Sequence, residues 1–508
     1  MFKKQLSINL IANIMSFSIS VGISFILTPF LIEHIGKEAF GFFPLANNFV
    51  LYINLLVIAL NSMAARFIML EVMKKDIVRS NIYFNSVFYS NIIMVIILII
   101  PLSLIIIFID NLLNVPVDLR SDIKILFTLI FMTFLISVLG SVFNVATLAT
   151  NRIDLRSYQE IIQSGLKAIL FIVLFSILSP SIIYVGVVGL SVGIIGIAIS
   201  LYFTKKLLPE IKLSIAYFDI KAVKELLSSG IWGSFNQLSS ILLTGLDLLL
   251  ANIFFGAAKA GEFSIAQTVP LFVITLIGML VGVFFPTIAA HYAKNDIYGM
   301  IKEIDFSGKV LGILISVPIA GFIVFGEEFY QLWVPSEDSS YLHLLSVIIF
   351  LPFLVSGSIN VLFNVNTIIN KVKIPSIVLF CTGVLNVVLV LILLNYTELG
   401  LLAIPISSVI LSFIRNLAFT PVYSARCLGV KWYNFYGLIL RNFITILILV
   451  AVFYFISQPL TIDTWMDLIV ISGICGCIGI LISLVLMLNK TQFRMLFNLI
   501  SNKLKAKV

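Results

Sequence analysis

The chain is built from one recurring unit: an apolar run of about twenty residues or more, closed by a short polar turn, then the next run. Crossing the ~30 Å hydrocarbon core of a bilayer takes roughly 20 apolar residues as helix. Fourteen such runs fall at about 8–33, 41–69, 82–109, 125–149, 160–178, 182–203, 227–255, 263–290, 307–325, 342–369, 375–394, 398–423, 438–457 and 466–488. With 60% of the 508 residues hydrophobic and 11% charged, a soluble domain is excluded. A membrane barrel needs short strands of alternating polarity, and these long unbroken runs do not alternate. The expected fold class is all-α and integral to the membrane.

Basic residues alternate in step with these spans, as the excess of Lys and Arg in cytoplasmic loops requires. The N-terminus, the loops after spans 2, 4, 6, 8, 10 and 12, and the C-terminal tail hold 25 of the 32 when Lys309 and Arg441, at the inner ends of spans 9 and 13, are counted with them; among the 25 are Lys74, Lys75, Arg79, Lys205, Lys206, Lys294 and Lys371. The opposite loops hold Lys37, Arg120, Lys124 and Lys259. Both termini are therefore expected in the cytoplasm. The net charge of +8 then lies along an inner surface facing anionic headgroups, and does not point to nucleic acid. The basic start "MFKKQLSINL" leads into an apolar run too long for a signal peptide and reads as the first span. Cys381, Cys427, Cys475 and Cys477 suggest neither a disulfide framework nor a metal site, and His34, His291 and His343 are scattered. No GxxxxGK[ST] loop is present, so transport by such a chain would draw on an ion gradient or the membrane potential. No cofactor is expected.

The stretch "IGKEAFGFFPLANNF" from Ile35 returns as "FGAAKAGEFSIAQTV" from Phe255. An offset of 220 pairs Gly36 with Gly256, Gly41 with Gly261, Phe43 with Phe263, Ala46 with Ala266, Lys74 with Lys294 and Asp76 with Asp296. The same offset lays "VFNVAT" (142–147) on "LFNVNT" (362–367). Two six-helix repeats follow, parallel because six is even, with two helices appended. The expected organisation is 1–203 as an N-terminal six-helix bundle, 204–226 as a cytoplasmic amphipathic linker, 227–425 as the second bundle, and 426–508 as spans 13 and 14 with a basic cytoplasmic tail. In each repeat the two glycines are expected to frame the short outer turn. Paired bundles of this kind are the architecture of alternating-access transporters.

Polar residues mark particular faces. Span 1 carries Asn9, Asn13, Ser16, Ser20 and Ser24 on one stripe, and span 7 carries Ser229, Gly233, Asn236, Ser240 and Thr244 at the same steps. Span 2 adds Asn47, Asn54 and Asn61. Such stripes are read either as tight interhelical packing or as the lining of a shared wet cavity, and their recurrence in both halves favours the cavity. Four charges within spans are candidates. Arg66 and Lys167 fall near inner helix ends, where long side chains can snorkel to headgroups. Arg415 sits about ten residues before the inner end of span 12, on the order of 15 Å along the helix. Asp247, three residues beyond Thr244, continues the span 7 stripe and must be paired, protonated or holding a cation. A charge in mid-bilayer costs roughly 2.5–3.5 kcal/mol on insertion scales, which makes each a functional candidate. Three cations against one acid suit an anionic head group such as a phosphate, for which Arg offers a bidentate fork and Lys a point charge.

The hairpin after "FILTPFLI", followed by "ARFIMLEVMKKD", and the stretch "GLDLLLANIFFGAAKAGEFSIAQ" resemble the polysaccharide flippase branch of the multidrug/oligosaccharidyl-lipid/polysaccharide exporter superfamily. The resemblance spans helices 1–12 and implies a two-bundle, V-shaped fold in a bacterial cell membrane. It implies translocation of undecaprenyl-pyrophosphate-linked oligosaccharide repeat units from the inner to the outer leaflet, for capsule, O-antigen or a related wall polymer. The lipid-linked oligosaccharide, the bilayer and other polysaccharide assembly proteins would be its partners. Asp247 matches the acid that this branch commonly carries in helix 7, as an ion-coupling or salt-bridge candidate; Arg66, Lys167 and Arg415 are proposed as pyrophosphate contacts from burial alone. The alternatives are a drug/cation antiporter or a lipid II flippase of the same superfamily, and a membrane polysaccharide polymerase. Lipid II flippases usually place several Arg in helices 1 and 2, and helix 1 here has none. A polymerase needs a substantial outer loop, and none exceeds about twenty residues.

Overall fold

Inside a bilayer the backbone has no water to bond with, so a chain this apolar satisfies its own amides as helix. The structure is a computed structural model that describes residues 2–489 and Gln492, and among these residues there is no strand. The basic tail expected beyond span 14 otherwise lies outside the described residues. Eleven helices are long and apolar enough to cross a membrane, or twelve when Ser339–Phe350 and Phe353–Ile359, bent by 43°, are taken as one broken span. Two of the eleven, Ile11–Met73 with 63 residues and Ile220–Ala293 with 74, exceed by far the roughly 20 residues one crossing needs. The fourteen spans expected from the sequence require the bent pair to count as one span and each of these two runs to cross twice.

The dividing points are the first glycines of the repeated motif. Gly36 (φ 78°, ψ 158°) and Gly256 (φ 83°, ψ 178°) break otherwise continuous helix in a region of φ/ψ space that is essentially reserved for glycine. Nothing lies within 4 Å of where a Cβ would stand at either residue, so conformation and not crowding selects glycine there. The second glycines act differently from what the sequence suggested. Gly41 and Gly261 lie in regular helix and touch each other: a Cβ on Gly41 would stand 2.9 Å from Gly261 Cα, and one on Gly261 would meet the Lys37 carbonyl. The two hairpins cross backbone to backbone at this point. Beside the crossing, Glu262 accepts from Lys37 Nζ at 3.1 Å and from Lys259 Nζ at 2.6 Å.

By compactness the chain divides into Met1–Ser264 and Ile265–Val508. The first unit thus takes in span 7, because Ile220–Ser240 lies along the second helix of the first hairpin. Gly230 sits under the Ala59 carbonyl with no room for a side chain, Gly233 lies against Ser62, and Ser234 Oγ donates to Leu55 O at 3.0 Å.

The stretch expected as an amphipathic linker is mostly irregular between Leu208 and Asp219, and the next helix begins at Ile220. It is tied down by one face of the helix Ile77–Ile107. Asn81 Nδ2 donates to Glu210 O (3.1 Å) while its Oδ1 accepts from Lys212 N (2.8 Å). Asn85 repeats the pattern with Lys212 O (2.8 Å) and Ser214 N (2.9 Å). Ser86 Oγ closes the series by exchanging bonds with the backbone of Asp219. Asn81, Asn85 and Ser86 are all buried, which is affordable only because their hydrogen bonds are met.

Turns at Lys75, Asn151, Asn295 and Asn370 end four helices with a residue at positive φ, and the first and third recur at the offset of 220. Asp76 and Asp296, one residue beyond two of these turns, cap the following helices through Arg79 N (2.9 Å) and Gly299 N (2.8 Å). The Gly299 amide, helped by the His291 ring 2.9 Å away, holds the Asp296 carboxyl below its ordinary range.

In the second unit the helix Ile297–Trp333 is the axis against which Tyr436–Ser457 and Trp465–Met487 pack, so the appended helices are part of this unit's core. Asn442 Nδ2 donates to Leu354 O at 2.8 Å, Gly312 lies against Asn442 and Met487, and Ser316 meets Ser483 at 3.3 Å. Lys309, counted from the sequence with the inner loops, is 2% exposed and bonds Asp305 at 2.6 Å and Gln492 at 3.1 Å.

Replacing these glycines separates their roles. Gly36→Ala loses about 1–3 kcal/mol to backbone strain, and Gly41→Ala a similar amount to overpacking. Gly22→Ala, in regular helix with open space around it, is neutral or stabilising by up to about 1 kcal/mol. Thermal midpoints in nanodiscs read the difference, and an unchanged midpoint for Gly36→Ala contradicts the chain break.

Candidate functional site

A cation inside a membrane needs a partner or a way out, and the three embedded here differ in what they have. Arg66 is exposed and lies seven residues before Met73, where its helix ends, so its side chain has a short route to the headgroups. Lys167 is deeper than its sequence position suggested. Its helix begins at Ile153 and not near 160, which leaves Lys167 fourteen residues, about 21 Å, from that end. It is half-buried, makes no ion pair among the described residues, and places Nζ 5.9 Å from the centroid of the Phe43 ring. Arg415 opens a π-helical turn, Arg415–Phe419, and likewise meets no carboxylate among the described residues. Its Nε lies 3.4 Å from Asn416 Oδ1 and its Cζ 5.7 Å from the Phe363 ring centroid. An aromatic face offers a cation weak compensation that an anion can outbid.

Asp247 stands directly after a second π-helical region, Ile241–Gly245. Leu246 N bonds Ile241 O, five residues back, so the turn holds one residue more than an α-helix allows. That extra residue takes Asp247 out of phase with the stripe before it: Asn236, Ser240 and Thr244 are exposed, whereas Asp247 is 5% exposed. The Gly245 carbonyl accepts instead from Tyr52 Oη at 2.7 Å. Asp247 forms no ion pair with Arg66 or Lys167, and no hydrogen bond reaches its carboxyl from the described residues of its unit.

The polar stripes divide between packing and open positions. On span 1, Asn9 and Ser16 are buried against the segment 151–160: Asn9 bonds Asn151 and the Asp154 amide, and Ser16 Oγ donates to Glu160 Oε2 at 2.8 Å. Asn13 is exposed, and Ser20 and Ser24 are half-buried. On span 2, Asn47 is exposed and bonds Phe43 O, while Asn54 is half-buried. Asn61 belongs to a closed cluster in which it exchanges amide bonds with Asn91 (3.0 and 3.1 Å) and accepts from Ser141 Oγ at 2.9 Å. On span 7, Ser229 is exposed together with Asn236, Ser240 and Thr244, and the opposite side of that helix carries the close packing through Gly230.

Several polar groups in the same unit escaped the sequence reading. Asn91 is fully buried in the Asn61 cluster. Glu160 links Ser16 to Arg156, and Gln159 and Gln163 bond Gly196 O and Val192 O of the next helix. The signal was present as four polar residues, Arg156, Gln159, Glu160 and Gln163, spaced three or four apart. Two of them, Arg156 and Gln159, precede the apolar run that begins near 160, and the helix starts earlier, at Ile153. Among the described residues no cluster of three or more His, Cys, Asp or Glu is placed to hold a metal. A cavity of about 310 Å³ in the second unit is apolar, lined by Val317, Pro318, Phe322, Phe453, Leu468 and Cys475 among others, and contains none of the candidate residues.

The chain matches the model of a family described as "Polysaccharide biosynthesis protein" over residues 6–291. It is 28% identical over 470 residues to the uncharacterized membrane protein EpsK of Bacillus subtilis (strain 168), covering 92% of each chain. Its fold is that of solved transporters. An inward-facing multidrug resistance MATE family transporter of the MOP superfamily aligns with a TM-score of 0.66 at 16% identity, over 84% of this chain and 97% of its own. The lipid II flippase MurJ, in an inward closed conformation, aligns with a TM-score of 0.66 at 15% identity, over 92% and 97%.

The hydroxyl of Tyr52 is the test of the π-helical region. Tyr52→Phe leaves the Gly245 carbonyl short of its donor and costs about 1–3 kcal/mol. Asn47→Ala, exposed on the same helix, leaves the thermal midpoint within about 0.5 kcal/mol of the parent.

Proposed function

Because the chain belongs to the polysaccharide biosynthesis protein family, whose fold it shares with MOP superfamily transporters, we propose that it translocates undecaprenyl-pyrophosphate-linked oligosaccharide repeat units from the inner to the outer leaflet of a bacterial cell membrane. The observation that carries this reading is the state of the embedded cations. Lys167 in one unit and Arg415 in the other each lie against an aromatic ring and meet no carboxylate among the described residues of their own unit, which leaves their charge for an anion. Arg415 can bind a pyrophosphate through its fork and Lys167 through a point charge. Arg66, nearer a helix end, would meet the head group on its way in. The stripe positions left exposed, Asn13, Asn47, Asn236, Ser240 and Thr244, offer hydrogen bonds to sugar hydroxyls. In this reading both termini are cytoplasmic, and the repeats 1–203 and 227–425 alternate access to the two sides.

Asp247 is the coupling residue of the proposal. A buried carboxylate without an ion pair is stable as a protonated acid or around a bound cation, and exchange between those states links it to an ion gradient. The fold alone suits a drug exporter or a lipid II flippase equally well; the excess of embedded cations supports a large anionic head group over a small organic cation.

Arg415→Ala is expected to abolish surface polysaccharide while inserting in the membrane at parental levels, and Arg415→Lys to retain part of the export, since charge survives without the fork. Normal export by Arg415→Ala sinks the pyrophosphate assignment. Asp247→Asn is expected to retain binding of undecaprenyl pyrophosphate but lose acceleration of flipping by an imposed ion gradient in proteoliposomes.

A further inference from the structure

Building on the reading of Lys167 as a pyrophosphate contact, we propose that Arg156 is the first binding residue for that head group, and that Glu160 is the counter-ion it displaces. Arg156, Glu160 and Lys167 lie on one helix at steps of four and seven, within an arc of about 40°. Arg156 stands about 16 Å along the axis from Lys167, toward the end at Ile153. With the termini in the cytoplasm, that is the inner end. One pyrophosphate cannot bridge the two, so they act in succession.

The cations at this end are not equivalent. Arg152 is held by a fork: its Nε and a terminal nitrogen bond both oxygens of Asp154 at 3.0 and 3.1 Å, while the Asp154 carboxylate also accepts from Gln5 at 2.8 Å and the Asp154 amide donates to Asn9 at 3.1 Å. Arg156 is held by a single 3.3 Å bond from Nε to Glu160 Oε1, its side chain is 51% exposed, and its two terminal nitrogens bond none of the described residues. The other Glu160 oxygen accepts from Ser16 Oγ at 2.8 Å, so the carboxylate is anchored on span 1 and stays in place when the guanidinium turns away. A phosphate therefore finds a fork with most of its donors open and one weak internal competitor. Glu160 is a positioning residue, acting on affinity through Arg156. It also keeps the seam from trapping the anion, because its charge opposes phosphate on the same arc as Lys167.

Equilibrium binding of undecaprenyl pyrophosphate to the purified full-length protein in nanodiscs tests this, with membrane level and thermal midpoint checked for each variant. Arg156→Ala should weaken binding roughly tenfold or more, and Arg156→Lys should recover part of it. Glu160→Gln keeps an acceptor for Ser16 while removing the charge, and should tighten binding severalfold while slowing flipping in proteoliposomes, a split that a merely structural role does not produce. Unchanged binding in both Arg156→Ala and Glu160→Gln, with Lys167→Ala and Arg415→Ala impaired, overturns this inference and leaves the proposed function standing. Unchanged binding in all four overturns both.

Discussion

Hydrocarbon gives two helices no hydrophobic reason to associate, so close approach and buried polar bonds must hold this chain together. Both devices recur wherever its helices meet. Gly41 on Gly261 and Gly230 under Ala59 let backbones approach to distances that no side chain permits. Asn61 with Asn91 and Ser141, and Asn442 over Leu354, replace water with amide partners that are already inside. These contacts define which helix faces are spent on structure. What is left open on the same helices, Asn236 and Thr244 opposite Gly230 for example, is polar surface that these contacts do not use.

Against that tightly bonded background the two π-helical regions stand out. Ile241–Gly245 and Arg415–Phe419 each give up regular hydrogen bonding inside a span, one directly before Asp247 and one beginning at Arg415. Each is patched by a side chain, Tyr52 on Gly245 O in the first and Thr420 on Arg415 O in the second. An irregularity that needs a donor to sustain it is costly, and such turns concentrate where a side chain has to be re-aimed for function. They have a further consequence for a moving protein, because a helix that already carries one surplus residue can pass it along and rotate its ends without breaking.

The class of the fold was legible because it rests on run length, which no tertiary contact can override, and the offset of 220 was legible at Gly36 and Gly256, where the helix breaks twice in the same way. Side-chain destinations were not. Asp247 was projected onto the stripe ending at Thr244 by assuming 3.6 residues per turn, and a π-helical turn has no sequence signature that would have warned against this. Lys167 reads as close to a helix end because the apolar run begins only near 160, whereas the helix extends back through Arg156 to Ile153. The glycines of the hairpin motif were read as one device and are two, since a positive φ and a backbone crossing select the same residue for unrelated reasons. Asn9 and Ser16 show the limit of stripe reading in membranes: the residue types that line a wet cavity are the ones that bond helices together.

The strap over Asn81 and Asn85 has a geometric consequence of its own. Four residues of helix rise about 6 Å, and two residues of extended chain advance about 6.6 Å, so asparagines one turn apart can read every second residue of a passing strand. The two rulers agree for one interval and then drift, like the scales of a vernier. Two residues beyond Ser214, the Ala216 amide turns to the Ser214 hydroxyl. The helix thus stands in for a sheet over a single repeat, and the connection is released into its next turn where the two periods fall out of step.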